Sequence, residues 1–135
     1  MNRIFLDTGW FRAEVDERDG EHVRAKSVFR RIKKEQLRMV TTNFVLDESF
    51  TLIRDKCGLH RAKRLYEFLE AFPEKFEVER VMVDDERRVW EWFWYDWREL
   101  SYTDCTSFAV MERLGLKKVA TFGDDFEKAG FEVMK

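Results

Sequence analysis

Four acidic residues sit where folding gives them little reason to be. Asp7 directly follows the apolar run Ile4-Phe5-Leu6, which places a carboxylate at the carboxyl end of a buried strand. In open α/β sheets, ligands bind in the crevice beyond those ends. An N-cap for a short helix from Gly9 explains Asp7 equally well at this stage. Glu48 lies on a helix predicted from Phe44 to Lys56, beside Asp47. At about 100° per residue, the apolar stripe of Val45, Leu46, Ser49, Leu52 and Ile53 leaves Asp47 about 160° from its centre and Glu48 about 100° off. Asp47 therefore faces solvent, and Glu48 is the one of the pair able to reach an interior crevice. Asp104 opens the most hydrophobic helix of the chain, among Tyr102, Cys105 and Phe108, with Ser101 or Thr103 as its N-cap. Capping accounts for part of that placement and a bound cation for the rest. Last, Val119-Ala120-Thr121-Phe122 runs into Gly123-Asp124-Asp125, acids at a strand end that a turn would also use.

Tens of residues separate these acids, so they form no local motif, and their significance rests on convergence at one sheet rim. Three or four carboxylates there repel one another unless divalent cations are bound. Hard oxygen donors suit Mg²⁺ or Mn²⁺ better than zinc. The chemistry such a site supports is metal-assisted phosphodiester hydrolysis, with in-line attack by an activated water.

The elements that must position the acids alternate. A helical pattern runs from Glu21 to Leu37, a brief strand covers Met39 to Thr42, and Asn43 is placed to cap the helix that follows. Gly58 turns the chain into a helix from Leu59 to Phe72, which Pro73 stops. Phe76 to Val83 suits an edge strand. The next helix begins with Asp84-Asp85-Glu86 and carries four of the five tryptophans; Trp90, Phe93, Trp94 and Trp97 form its predicted buried stripe, and Trp92 projects the other way. A helix over Thr103 to Leu114, a strand over Lys118 to Phe122, a short helix over Asp124 to Lys128 and a strand over Phe131 to Met134 complete the chain. Strands alternating with helices predict a three-layer α/β/α sandwich around a parallel sheet.

Composition agrees. The 135 residues make one domain, 1–135, and 44% hydrophobic residues supply a core. With 25 basic and 27 acidic side chains the formal net charge is −2, which excludes a domain held on nucleic acid by bulk electrostatics. No apolar stretch reaches the ~20 residues of a membrane span, and the opening residues carry no signal-peptide pattern. Cys57 and Cys105 are too few for a disulfide framework. The expectation is a reduced, cytoplasmic protein with no membrane partner.

Four blocks of sequence then carry a family resemblance: Phe5-Leu6-Asp7-Thr8; Thr41-Thr42-Asn43-Phe44-Val45-Leu46-Asp47-Glu48-Ser49; Leu100-Ser101-Tyr102-Thr103-Asp104-Cys105-Thr106-Ser107-Phe108-Ala109-Val110-Met111; and Ala120-Thr121-Phe122-Gly123-Asp124-Asp125-Phe126 with Ala129-Gly130-Phe131. In that order they resemble the PIN domain, and among its members the VapC-type toxin ribonucleases. The resemblance implies a sheet of about five strands in the order 3-2-1-4-5. It also implies Mg²⁺- or Mn²⁺-dependent cleavage of single-stranded or structured RNA, a homodimer, and a VapB-like antitoxin as partner. Asp7, Glu48 and Asp104 match the first three family acids, and Thr103 the hydroxyl that supports the third. At the fourth, the family pattern Thr-x-Asp-x-x-Phe meets Gly123, so Asp124 is expected to substitute.

Other features qualify this reading. Arg24 to Arg38 holds seven basic residues against Glu35, and Arg61, Lys63 and Arg64 form a smaller group; solvated helix faces explain both, and guidance of an RNA backbone is the functional alternative. Trp92, Tyr95, Phe44 and Phe50 fall off their stripes and suggest a partner surface. His22 and His60 keep open a metal-independent ribonuclease with two histidines as acid and base. The non-enzymatic alternative is a weakened PIN domain that binds RNA or protein without cutting, and a housekeeping RNA-processing role is a third.

Overall fold

The computed structural model describes residues 2–135. Five strands alternate with eight helices among the described residues: β1 (Arg3–Leu6), α1 (Thr8–Val15), α2 (His22–Lys34), β2 (Arg38–Thr42), α3 (Asn43–Cys57), α4 (Leu59–Ala71), β3 (Phe76–Glu79), α5 (Val83–Arg88), α6 (Trp90–Phe93), α7 (Tyr102–Leu114), β4 (Lys118–Ala120), α8 (Asp125–Lys128) and β5 (Glu132–Val133). The strands form one parallel sheet in the order β3-β2-β1-β4-β5, as expected from the sequence. Phe5 is paired with Val40 on one side and Val119 on the other, which makes β1 the central strand. Ile4, Phe5 and Leu6 are fully buried, because a strand covered on both faces has no solvent side.

Strand order reverses at β1: the chain proceeds to β2 and β3 in one direction, then returns to lay β4 and β5 on the other side. Right-handed crossovers place α1–α4 on one face and α5–α8 on the other. Aromatic contacts fall into the same two groups. Trp10, Phe11, Phe29, Phe68, Phe72 and Phe76 pack together on the first face, with Phe29 and Phe68 ring centroids 5.4 Å apart. Phe5, Trp92, Phe108, Phe126 and Phe131 pack on the second, where Phe108 meets Phe126 edge-on at 4.9 Å. Among the described residues no helix is long and apolar enough to cross a membrane.

Several boundaries differ from the sequence expectations. β3 stops at Glu79 rather than Val83, since the Val81 N–H donates to Asn43 Oδ1 (2.9 Å) and the Met82 N–H to Asp85 Oδ2 (2.8 Å), which turns the chain into α5. Asn43 is thus the first residue of α3; Thr42 caps it by accepting the Val45 N–H at 3.0 Å.

The tryptophan-rich segment departs furthest. It is two short helices, and its buried side is the opposite of the predicted one: Trp92 is 8% exposed against Phe108, whereas Trp90 is 48% and Trp94 75% exposed. Asp85 decides this. Its carboxylate is buried and receives two hydrogen bonds from Arg113 of α7, at 3.0 and 2.9 Å. With Asp85 inward, Val89 and Trp92 follow at i+4 and i+7 on the same face. A pattern read from hydrophobicity alone counts an aspartate as surface and rotates the helix the wrong way.

Candidate active site

The order reversal opens a crevice at the carboxyl ends of β1 and β4, where doubly wound sheets bind ligands. The backbones join there: the Asp7 N–H donates to the Ala120 carbonyl at 3.2 Å. Asp7 occupies the N-cap position of α1 with extended backbone, but its side chain makes no capping bond. One oxygen, Oδ2, accepts the Thr121 hydroxyl at 2.9 Å. The other, Oδ1, is buried and has no hydrogen-bond partner. A buried carboxylate oxygen without a donor is costly, and the site retains it. Capping, the competing explanation for Asp7, does not account for it.

Asp104 arrives from α7. It forms a reciprocal cap with Ser101, whose N–H donates to Oδ2 (3.0 Å) while the Ser101 Oγ accepts the Asp104 N–H (2.9 Å). Ser101, and not Thr103, therefore holds this acid; Thr103 is engaged through its carbonyl, which accepts the Thr106 hydroxyl at 2.7 Å.

Glu48 extends from α3 and accepts the Thr8 hydroxyl at 2.7 Å, and Thr8 in turn accepts from Ser49 at 3.1 Å. As the sequence geometry predicted, Asp47 is exposed and Glu48 half-buried.

These three acids lie within electrostatic reach of one another. Burial, then the charge of Glu48, raises the Asp7 carboxyl above the ordinary carboxylate range, against the Thr121 hydrogen bond and the nearby Thr8 and Gly9 N–H groups, which fall short of hydrogen-bonding geometry. Burial, then Asp7 and Glu48, raises Asp104 in the same sense. Burial also pushes the neighbouring Cys105 thiol up to about 12, helped by Asp104 and Asp125.

A cavity of about 150 Å³ lies on this rim, lined by Asp7, Arg98, Glu99, Asp104, Asp124 and Asp125 among others. The two acids that follow Gly123 both belong to its wall but differ in setting. The Asp124 side chain is 77% exposed and pairs with Lys128 at 3.5 Å. Asp125 is 9% exposed, and its Oδ1 is buried without a partner.

The donor set fits a hard divalent cation: carboxylates only, mutually repelling, with buried oxygens unused by the protein. Among the described residues no three acidic, histidine or cysteine side chains close into a cage.

Sequence reading named Ser101 as one of two capping candidates but missed Thr8 and Thr121 as the hydroxyls that aim Glu48 and Asp7, and it missed Glu99. The first three lie inside or beside the quoted motif blocks, so their positions were legible although their bonds were not. The basic groups prove largely spent on ion pairs. Lys26 bonds Glu14, Arg31 pairs with Glu35, Arg38 with Glu77, and Arg61 and Arg64 both reach Glu17. His22 is tied to the Ala13 carbonyl at 2.6 Å and His60 is exposed; neither lines the acidic cavity.

Comparison with known proteins agrees with this geometry. The model of the PIN domain family matches residues 4–132. The chain is 37% identical over 129 residues to the 23S rRNA-specific endonuclease VapC20 of Mycobacterium tuberculosis, with 95% of each chain covered. It is 30% identical over 138 residues to a VapC ribonuclease of Archaeoglobus fulgidus, covering 92% of this chain and 85% of that one. The crystal structure of M. tuberculosis VapC20, described as a sarcin-ricin loop cleaving toxin, superposes with a TM-score of 0.81 at 34% identity over 96% of both chains. A central β1 with orphaned Asp7 at the switch point, met by Glu48 and Asp104, is therefore carried by a chain that belongs to the PIN domain family, among its VapC members.

Proposed function

We propose that the protein is a Mg²⁺- or Mn²⁺-dependent endoribonuclease and the toxin of a toxin–antitoxin pair. The observation that carries this is the buried, unpartnered Oδ1 of Asp7 at the β1/β4 switch, within electrostatic reach of Glu48 and Asp104. Asp7, Glu48 and Asp104 would hold the cation, which when bound supplies Lewis-acid stabilisation of the charge on the scissile phosphate. Thr121 fixes the rotamer of Asp7, Thr8 that of Glu48, and Ser101 that of Asp104, so the three carboxylates are oriented before substrate arrives. Arg98, which lines the same cavity, offers a guanidinium to a phosphate oxygen.

The relatives' names point to ribosomal RNA as the substrate class, and a stem-loop of large-subunit rRNA in the cytoplasm is the first substrate to test. A VapB-like antitoxin is the expected inhibitor. The exposed apolar residues Met82, Val83, Trp90 and Trp94 support a homodimer, since a monomer gains nothing by leaving them in water.

The deciding experiment incubates purified protein with such a stem-loop in Mg²⁺, Mn²⁺ or excess EDTA, beside Asp104→Asn. Cleavage by the wild type in either metal, lost in EDTA and in the variant, supports the reading. Cleavage that survives EDTA would instead favour metal-free acid–base chemistry, and wild type indistinguishable from Asp104→Asn would favour a PIN domain that binds without cutting.

A further inference from the structure

Gly123 leaves the PIN pattern one carboxylate short, and the cavity shows what stands nearby. Asp125, the first residue of α8, is more than nine-tenths buried, and its Oδ1 meets no donor. Glu99 comes from the segment that joins the tryptophan-rich helices to α7, and it lines the same cavity. Its backbone lies in the left-handed region at φ 61°, a conformation that a glutamate adopts only under constraint. It is one of two such non-glycine residues among those described, the other being Gln36. The negative charges of Asp124 and Glu99 both bear on Asp125, and Asp125 and Asp104 both bear on Cys105 between them. Asp124 also lines the cavity, but its side chain is largely exposed and paired with Lys128.

We propose that Asp125 and Glu99 together replace the carboxylate absent at position 123: Asp125 as the buried acid at the start of α8, and Glu99 as an acid from the segment that precedes α7. The inference rests on the metal-site reading above and deepens it, by naming which side chains complete the cation's surroundings in this chain. One observation carries it independently of the acid cluster itself. The orphaned oxygen of Asp125 is a buried acceptor with no protein donor, as that of Asp7 is. Glu99 lines the same cavity, and its charge bears on Asp125.

The test is Mn²⁺ binding to the full-length metal-free protein, followed by calorimetry and by electron paramagnetic resonance of free Mn²⁺, with no RNA present. Asp125→Asn and Glu99→Gln should each weaken Mn²⁺ binding by about tenfold or more, as loss of a metal-supporting group does. Asp124→Asn should stay within about twofold of wild type, less than the loss expected for a ligand. Glu99→Gly should raise the melting temperature of the metal-free protein while it weakens Mn²⁺ binding, a combination that a purely structural role for Glu99 would not give. Asp104→Asn serves as reference. Mn²⁺ binding insensitive to Asp104→Asn would overturn the metal-site reading as a whole. Binding sensitive to Asp104→Asn and to Asp124→Asn, but unaffected by Asp125→Asn and Glu99→Gln, would overturn this inference alone. Circular dichroism and melting curves accompany each variant, and the amide replacements keep the side-chain shape that the fold requires.

Discussion

At the scale of single residues, the acids of the rim are held at a cost to folding. A carboxyl group whose folded-state pKa lies above its unfolded value binds more protons in the native state. Stability is then present at low pH and falls as pH rises from the unfolded value of about 4 through the folded one. Asp7 and Asp104 are both raised, so the metal-free protein should lose melting temperature between about pH 4 and neutrality, where those carboxyls ionise. Saturating Mg²⁺ or Mn²⁺ at pH 7 should restore it; calorimetric melts with and without EDTA check both halves. The same logic makes Asp7→Asn stabilising in the absence of metal and inactivating in its presence. A loss of cleavage of roughly 100-fold or more is expected, with the melting temperature unchanged or higher. Thr121→Val should do less, because it frees the Asp7 rotamer without removing the carboxylate: about tenfold in cleavage rate at fixed metal. These side chains were legible in the sequence as acids at strand ends and helix openings. Which oxygen of each is spoken for, and by which donor, was not, because the Thr121 and Thr8 hydroxyls and the Ser101 N–H reach acids on other elements or across a helix cap.

At the scale of elements, the fold was readable wherever burial has one period and no exceptions. β1, β2 and β4 are runs buried on both faces, and α3 and α7 begin with a capping residue close to the expected one. The tryptophan-rich segment was misread because a single buried ion pair, Asp85 with Arg113, outweighs a stripe of four aromatics in setting the helix face. Arg113→Leu should therefore be severe for a residue at the surface. It leaves Asp85 buried with only the Met82 N–H as donor, for a loss of about 3 kcal/mol in chemical denaturation. Double replacement with Asp85→Asn should recover much of that, since the uncompensated charge is removed. The consequence for the site is direct, because α5, α6 and the segment up to Leu100 deliver Arg98 and Glu99 to the acidic cavity.

At the scale of the whole molecule, the near-neutral charge takes on a definite meaning. Glu14, Glu17, Glu21, Glu35 and Glu77 pair with six of the ten basic side chains that could have formed a phosphate track, and the rim itself is acidic. A non-cleavable 2′-O-methyl stem-loop should consequently bind weakly in EDTA and at least about tenfold more tightly with Mn²⁺, measured by fluorescence anisotropy. The salt dependence should be shallower than for a basic RNA-binding domain of this size. The exposed Trp90 and Trp94, stacked at 5.4 Å, give the second prediction at this scale. Trp94→Glu should shift the protein from dimer to monomer in light scattering and leave the melting transition of the monomer intact.

The sequence by itself determined the alternation of strands and helices, and hence the parallel sandwich. It also singled out Asp7, Glu48 and Asp104 as candidates, because hydrophobic periodicity and capping are local and survive without coordinates. Tertiary structure alone decided the rest: that Asp7 keeps an oxygen with no donor, that Asp125 is buried where Asp124 is not, and that Glu99 stands among the acids although no motif contains it. Those facts depend on which side chains distant in sequence meet at the β1/β4 switch. Burial, and the cost of an unpaired charge, are properties of the surroundings rather than of the residue.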